Sequence, residues 1–250
     1  MVVRGIVLLV AGALGAMVGT AGGIMSLISY PALLAVGIPA LPANVANLVA
    51  SVACWPGSAV ASRPELGGRA SWLRRWSLVA AAGGGVGAGL LLLTPDQAFN
   101  SVVPFLVAAG SLALLFQPQL SALRDHGHTR DGAGLLYAGG LLAVSVYTGY
   151  FGAGTGVMTL ALLLLTTDGQ MASANALKNM LVGAASVTAA AVLVISGPID
   201  WSAVIPLAAG MLIGSIVGPA IARRIPAKVL RWLVGLFGLG FAVYLWLAQG

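Results

Sequence analysis

A single lysine stands where charge is expensive. Lys178 lies in Asn175-Ala176-Leu177-Lys178-Asn179, about two turns into an apolar segment that runs from 172 to 196. An ionisable side chain inside a bilayer is costly, so it marks a functional site by default. The competing role is snorkelling, in which the long stem carries the ammonium a turn or more towards the interface. The first half carries Asn44-Val45-Ala46-Asn47 in the corresponding place; at an offset of 131, Asn44 lies over Asn175 and Asn47 over Lys178. Each asparagine amide offers donors and an acceptor without charge. Such groups serve either a ligand or a neighbouring helix.

Two glycine-rich breaks accompany these residues. Gly19-Thr20-Ala21-Gly22-Gly23-Ile24-Met25-Ser26-Leu27 and Gly152-Ala153-Gly154-Thr155-Gly156-Val157-Met158-Thr159-Leu160 align at an offset of 133. Helix-interrupting glycines are tolerated in a membrane only where the freed backbone lines a cavity or is buried in protein. Two of them at matching places point to a transporter's binding site. Their backbone N–H groups, at helix N-termini, form a ready site for an anion. The alternative is close helix packing, since Gly19-x-x-x-Gly23 and Gly152-x-x-x-Gly156 both have small-xxx-small spacing. The candidate substrate-binding set is therefore Gly22, Gly23, Asn44, Asn47, Gly154, Thr155, Gly156, Asn175, Lys178 and Asn179.

Other chemistry is thin. The six acids, Glu65, Asp96, Asp125, Asp131, Asp168 and Asp200, all fall at loops or flanks, so no intramembrane proton relay is visible. No nucleophile–base pair points to an enzyme, and no strand–turn–helix context supports a nucleotide loop. His126 and His128 stand in a polar loop without further ligands, which does not make a metal site. Cys54, the one cysteine, precludes an intramolecular disulfide; Cys54-Trp55-Pro56-Gly57 reads as a kink. No cofactor is expected.

The elements that must position these residues are membrane helices. Hydrophobic residues make up 59% of the 250 and charged ones only 7%, with a mean hydropathy of +1.00. No charged residue occurs in 5–62, 132–167 or 232–250, runs that exceed or match the roughly 20 residues of a bilayer crossing. Continuous rather than alternating apolar runs argue against a β-barrel. The fold class is thus an all-α polytopic membrane protein. Apolar segments fall near 3–36, 44–62, 72–93, 98–117, 133–167, 172–196, 201–222 and 228–248. The first and fifth are too long for one crossing and carry the glycine breaks near their middles, so each is a broken crossing or a hairpin.

Charge decides between these. If both long segments are hairpins, the basic loops 63–75, 124–130 and 223–231 share one face, holding ten of the twelve basic residues. That agrees with the positive-inside rule. It predicts both termini outside and makes the two halves inverted repeats: repeat one about 3–118, a cytoplasmic linker about 118–132, and repeat two about 133–249, together one transport domain over 1–250. Each repeat is a glycine-broken helical hairpin followed by three transmembrane helices, with the site near the midplane between repeats. The net charge of +6 is explained by these loops rather than by nucleic acid. The N-terminal run, loosely like a signal peptide, reads as retained structure because its counterpart in the second half is internal.

Paired glycine segments, each followed about 20 residues later by a small, polar stretch, resemble the sulfite exporter TauE/SafE family of permeases over essentially the whole chain. Gly15–Leu27 and Gly149–Leu160 match its paired glycine segments. Ala174–Asn179 resembles its second-half A-T-x-K element, with Asn175 where Thr is common. The resemblance implies a multi-pass protein of the cytoplasmic membrane that moves sulfite, sulfonates, thiosulfate or related organic anions. A small anionic substrate and the lipid bilayer are the expected partners; a coupling ion and a homo-oligomer are both compatible with it. The alternative is a non-transporting membrane scaffold or assembly factor for a partner complex.

Overall fold

The computed structural model describes residues 2–22, 25–116, 119, 133–166, 171–197, 199–222 and 227–248. Among them there are helices and short connections but no strand. The first half gives α1 (Val2–Gly22), α2 (Ser26–Ala35), α3 (Ala40–Ser51), a 3-10 turn (Val52–Cys54), α4 (Trp55–Ser62), α5 (Ala70–Leu93) and α6 (Asp96–Leu115). The second gives α7 (Ala133–Tyr150), α8 (Thr155–Thr166), α9 (Met171–Ser196), α10 (Trp201–Ala222) and α11 (Ala227–Leu247). Among the described residues, Ala70–Leu93, Asp96–Leu115 and Ser173–Ser196 are each long and apolar enough to cross a bilayer. The protein is an all-α membrane protein. Gly23, His126, His128 and nearly all of the 118–132 linker lie outside the described residues.

Both long apolar runs break at their glycines. In the second, the Tyr147 carbonyl accepts from Phe151 N at 2.9 Å and Gly152 N at 3.1 Å, closing α7. Gly152 and Gly154 have φ of +82° and +76°, a left-handed backbone that suits glycine and ends helices. The Gly154 carbonyl then accepts from Val157 and Met158 to start α8. Gly140 of α7 lies against Leu162 of α8, so the chain folds back on itself. In the first run, Gly19 and Gly15 of α1 both face Met25, and Gly15 also faces Ile28 of α2. That is a second hairpin.

Helix packing is reciprocal between the halves. α1 packs most extensively on α10, and α7 on α5. In the first pair Gly12 faces Leu207 and Met211, Gly214 faces Ala13, and Arg4 pairs with Asp200 just before α10, so the two helices run parallel. In the second, Gly83 faces Leu142 and Ser145 and Gly87 faces Val146 and Tyr150, again parallel. α5 also runs parallel to α9, with Gly84 against Ala185 and Gly85 against Thr188. α6 and α11 run antiparallel, Ser111 meeting Gly238 and Leu115 meeting Gly235. Lipid tails are as apolar as leucine, so membrane helices associate through such small-residue contacts rather than through a hydrophobic driving force.

The segment after α3 bends where Cys54-Trp55-Pro56-Gly57 falls. Pro56, in the first turn of α4, has no N–H to give the preceding ladder, and a 3-10 turn fills the gap. Tyr30 of α2 and Phe151 of the second break meet edge to face within the larger core, 5.2 Å between centroids. The aromatic core thus joins the hairpin of one half to that of the other.

Candidate functional site

Lys178 and Asn175 are three residues apart on α9 and share a face. Lys178 Nζ donates to Asn175 Oδ1 at 2.7 Å, and the side chain is only 3% exposed. Among the described residues no carboxylate lies within ion-pair distance of it; the ion pair present joins Arg4 and Asp200. Asn179, next along, donates from Nδ2 to Ser62 Oγ at 3.2 Å, tying α9 to the end of α4.

Lys178 lines a cavity of about 110 Å³ between the two glycine breaks. Gly19 and Met25 contribute from the first break; Gly152, Thr155 and Gly156 from the second. Cys54, Trp55 and Ser58 close it from the bend, and Asn179, Val182 and Gly183 from α9. Lys178 is the one charged side chain among these lining residues. Thr155 and Gly156 are the first residues of α8, whose free N–H groups and dipole favour negative charge. Hydroxyls complete the wall: Ser51 donates to the Leu48 carbonyl at 2.7 Å, Thr148 to Val144 at 2.7 Å and Thr155 to Gly152 at 3.0 Å. Cys54 Sγ sits 3.3 Å from Met25 Sδ and 3.5 Å from the Met211 carbonyl, so a sulfur pair forms part of the lining.

The candidate residues divide. Thr155, Gly156, Lys178 and Asn179 come together at the cavity, with Asn175 behind Lys178. Gly154 turns instead to α6, where a Cβ would come within 2.8 Å of Gly110 Cα; there the glycine serves close packing. Asn44 and Asn47 are buried on α3 and are not among the lining residues: Asn44 Nδ2 donates to the Tyr150 carbonyl at 2.8 Å, and Asn47 Oδ1 accepts from Ser29 at 2.5 Å. Gly22 ends α1, and Gly23 lies outside the described residues. Residues the sequence reading did not select include Gly19, Gly152, Trp55 and Thr148. The two glycines belong to the duplicated motif itself, and Trp55 precedes the Pro-Gly kink. Thr148 carries no such signal.

The arrangement can hold a small anion against one ammonium and a helix N-terminus, with donors and sulfur around it. Comparisons with known proteins agree with a transport role. The profile described as Sulfite exporter TauE/SafE matches residues 5–245. A protein of Sinorhizobium sp described as "Probable membrane transporter protein ORF9" is 25% identical over 239 residues, covering 95% of this chain and 90% of the relative. No solved structure matches. With the family profile spanning nearly its whole length, the chain belongs to the sulfite exporter TauE/SafE family of membrane transporters.

Proposed function

We propose that the protein is a secondary permease of the cytoplasmic membrane that carries a small anion, such as sulfite, thiosulfate, a sulfonate or a related organic anion, through the Lys178 cavity. Lys178 is the observation that carries this: a buried ammonium, bonded to a neutral amide, needs an anionic partner that no described side chain supplies. The α8 N-terminus at Thr155 and Gly156 adds partial positive charge to the same cavity. Asn179, which gives one Nδ2 proton to Ser62, has a second to orient an acid oxygen.

Alternating access then follows from the two halves as inverted repeats, with the cavity near the bilayer midplane. The helix directions support this. Parallel α1/α10 and α5/α7 with antiparallel α6/α11 are the directions expected if 63–75 and 223–231 share the cytoplasmic face. The Arg4–Asp200 ion pair agrees, since it ties the N-terminus to the α9–α10 loop at one end.

Uptake into proteoliposomes of purified protein, tested with sulfite, thiosulfate, taurine and sulfoacetate, is the direct experiment. Saturable movement of at least one anion, abolished in Lys178→Met, is expected. If nothing in a broad anion panel moves or binds, and a partner complex co-purifies instead, the permease reading fails in favour of a membrane scaffold.

A further inference from the structure

The counterpart of the lysine site in the first half is incomplete. In α9, Asn175 Oδ1 accepts from the Lys178 ammonium at 2.7 Å. In α3 the equivalent acceptor is Asn44 Oδ1, and Asn47 stands where the lysine would be. Asn44 is 0% exposed; its Nδ2 donates to the Tyr150 carbonyl, which fixes the amide's orientation, and its Oδ1 has no hydrogen-bond partner. The oxygen that receives a cation in one half is therefore left unpaired in the other.

Its surroundings suit positive charge. Tyr150 is the last residue of α7, so its carbonyl belongs to the negative end of an 18-residue helix. Asn47, one turn on, has an unpartnered Nδ2, while Ser29, with one hydroxyl proton, faces two acceptors, Met25 O at 3.1 Å and Asn47 Oδ1 at 2.5 Å. Turning the Asn47 amide over resolves this: Nδ2 donates to Ser29, Ser29 donates to Met25, and a second free amide oxygen joins the face that Asn44 occupies.

We propose that the first half binds a monovalent inorganic cation at Asn44 Oδ1, against the C-terminal end of α7, where the second half uses the Lys178 ammonium. The donors are neutral oxygens, and among the described residues no cluster of three His, Cys, Asp or Glu exists to hold a divalent ion. Helix ends at a break, with amide and carbonyl oxygens, are a setting in which transporters hold sodium. The site stands on this geometry alone; that its cation drives transport rests on the permease reading above.

Equilibrium binding of 22Na+ to the purified wild-type protein, with choline as the inert competitor at constant chloride, tests it. Saturable binding displaced by NaCl and not by choline chloride is expected, with a matching sodium-dependent rise in melting temperature. Asn44→Ala should weaken binding by roughly tenfold or more, as for loss of groups around a bound metal. Asn47→Lys should abolish sodium binding while melting like the sodium-loaded wild type. Lys178→Met should keep sodium binding intact. Absence of saturable binding in the wild type overturns the proposal, a buried water then being the partner of Asn44. Loss of sodium binding in Lys178→Met but not in Asn44→Ala would overturn it too, because the ion would then belong to the cavity. Sodium binding without transport of any anion would sink the permease reading and leave the cation site standing.

Discussion

The indole of Trp55 lies against the bare Cα of Gly183, so close that a methyl group there would overlap its pyrrole ring. Both residues line the cavity, and Gly183 is five residues beyond Lys178 on α9. Gly183→Ala must therefore displace Trp55, which sits at the bend between α3 and α4. Destabilisation of about 1–3 kcal/mol is expected, the usual penalty for overpacking, together with altered anion uptake. In Trp55→Ala the same glycine substitution should cost much less. Melting and uptake measured for the two single variants and the double variant give the coupling.

Lys178→Met keeps an apolar stem and removes the charge. Anion binding should weaken by roughly 2–5 kcal/mol, as when one member of a buried charge pair is lost. Stability without ligand should hold or rise, because a buried ammonium no longer has to be kept from water. Titration calorimetry on the ligand identified by uptake, with melting curves, separates the two effects. Unchanged affinity would mean that the lysine merely fills space.

Reporter fusions test the topology. Fusions after Asp96 or Asp200 should report the outside; fusions within 64–70, 125–130 and 223–228 should report the cytoplasm. A cytoplasmic signal at Asp200 would eliminate the inverted repeats.

The ion pair between Arg4 and Asp200 gives a pH signature. Asp200 is held below the ordinary carboxylate range by the Ser202 hydroxyl, 2.5 Å away, and by Arg4, with burial working in the opposite direction. A depressed carboxylate stabilises the fold above its unfolded value, near 3.9, and loses that contribution as pH falls through its lower folded value. Both side chains are about a third exposed, so Arg4→Gln should cost less than about 1 kcal/mol at neutral pH. Melting curves of wild type and variant should converge as pH falls below the ordinary carboxylate range and Asp200 takes up its proton.

Much of this architecture was legible because membrane physics is blunt. Apolar run lengths located the crossing segments to within a few residues, and 201–222 coincides with α10 (Trp201–Ala222), but the single run 44–62 divides into α3 and α4 at the Pro56 bend. The two overlong runs became hairpins at their glycines, since 3–36 cannot stay one helix in a thin bilayer. The site was less legible. Backbone freedom at a glycine is written in the sequence, but the direction it faces is not: Gly154 turned to α6 while Gly152, two residues earlier, took the cavity. Asn44 and Lys178 share an alignment yet not a cavity: Asn44 bonds the Tyr150 carbonyl at the end of α7 in the other half, whereas Lys178 bonds Asn175 on its own helix and lines the cavity.

The pairing of α1 with α10 sets a clock on biogenesis. Gly12 must wait for Leu207 and Met211, nearly 200 residues downstream, before its small-residue face finds a helix. At ribosomal speeds of about 5–20 residues per second that is on the order of 10–40 s. Throughout that interval α1 sits beside lipid, or whatever insertion machinery shelters it, with its intended neighbour unsynthesised. Neither half can finish itself: the first lacks α10, the second lacks α5. A chain stalled before residue 201 should therefore be recognised as unassembled and degraded, however well each of its helices has inserted.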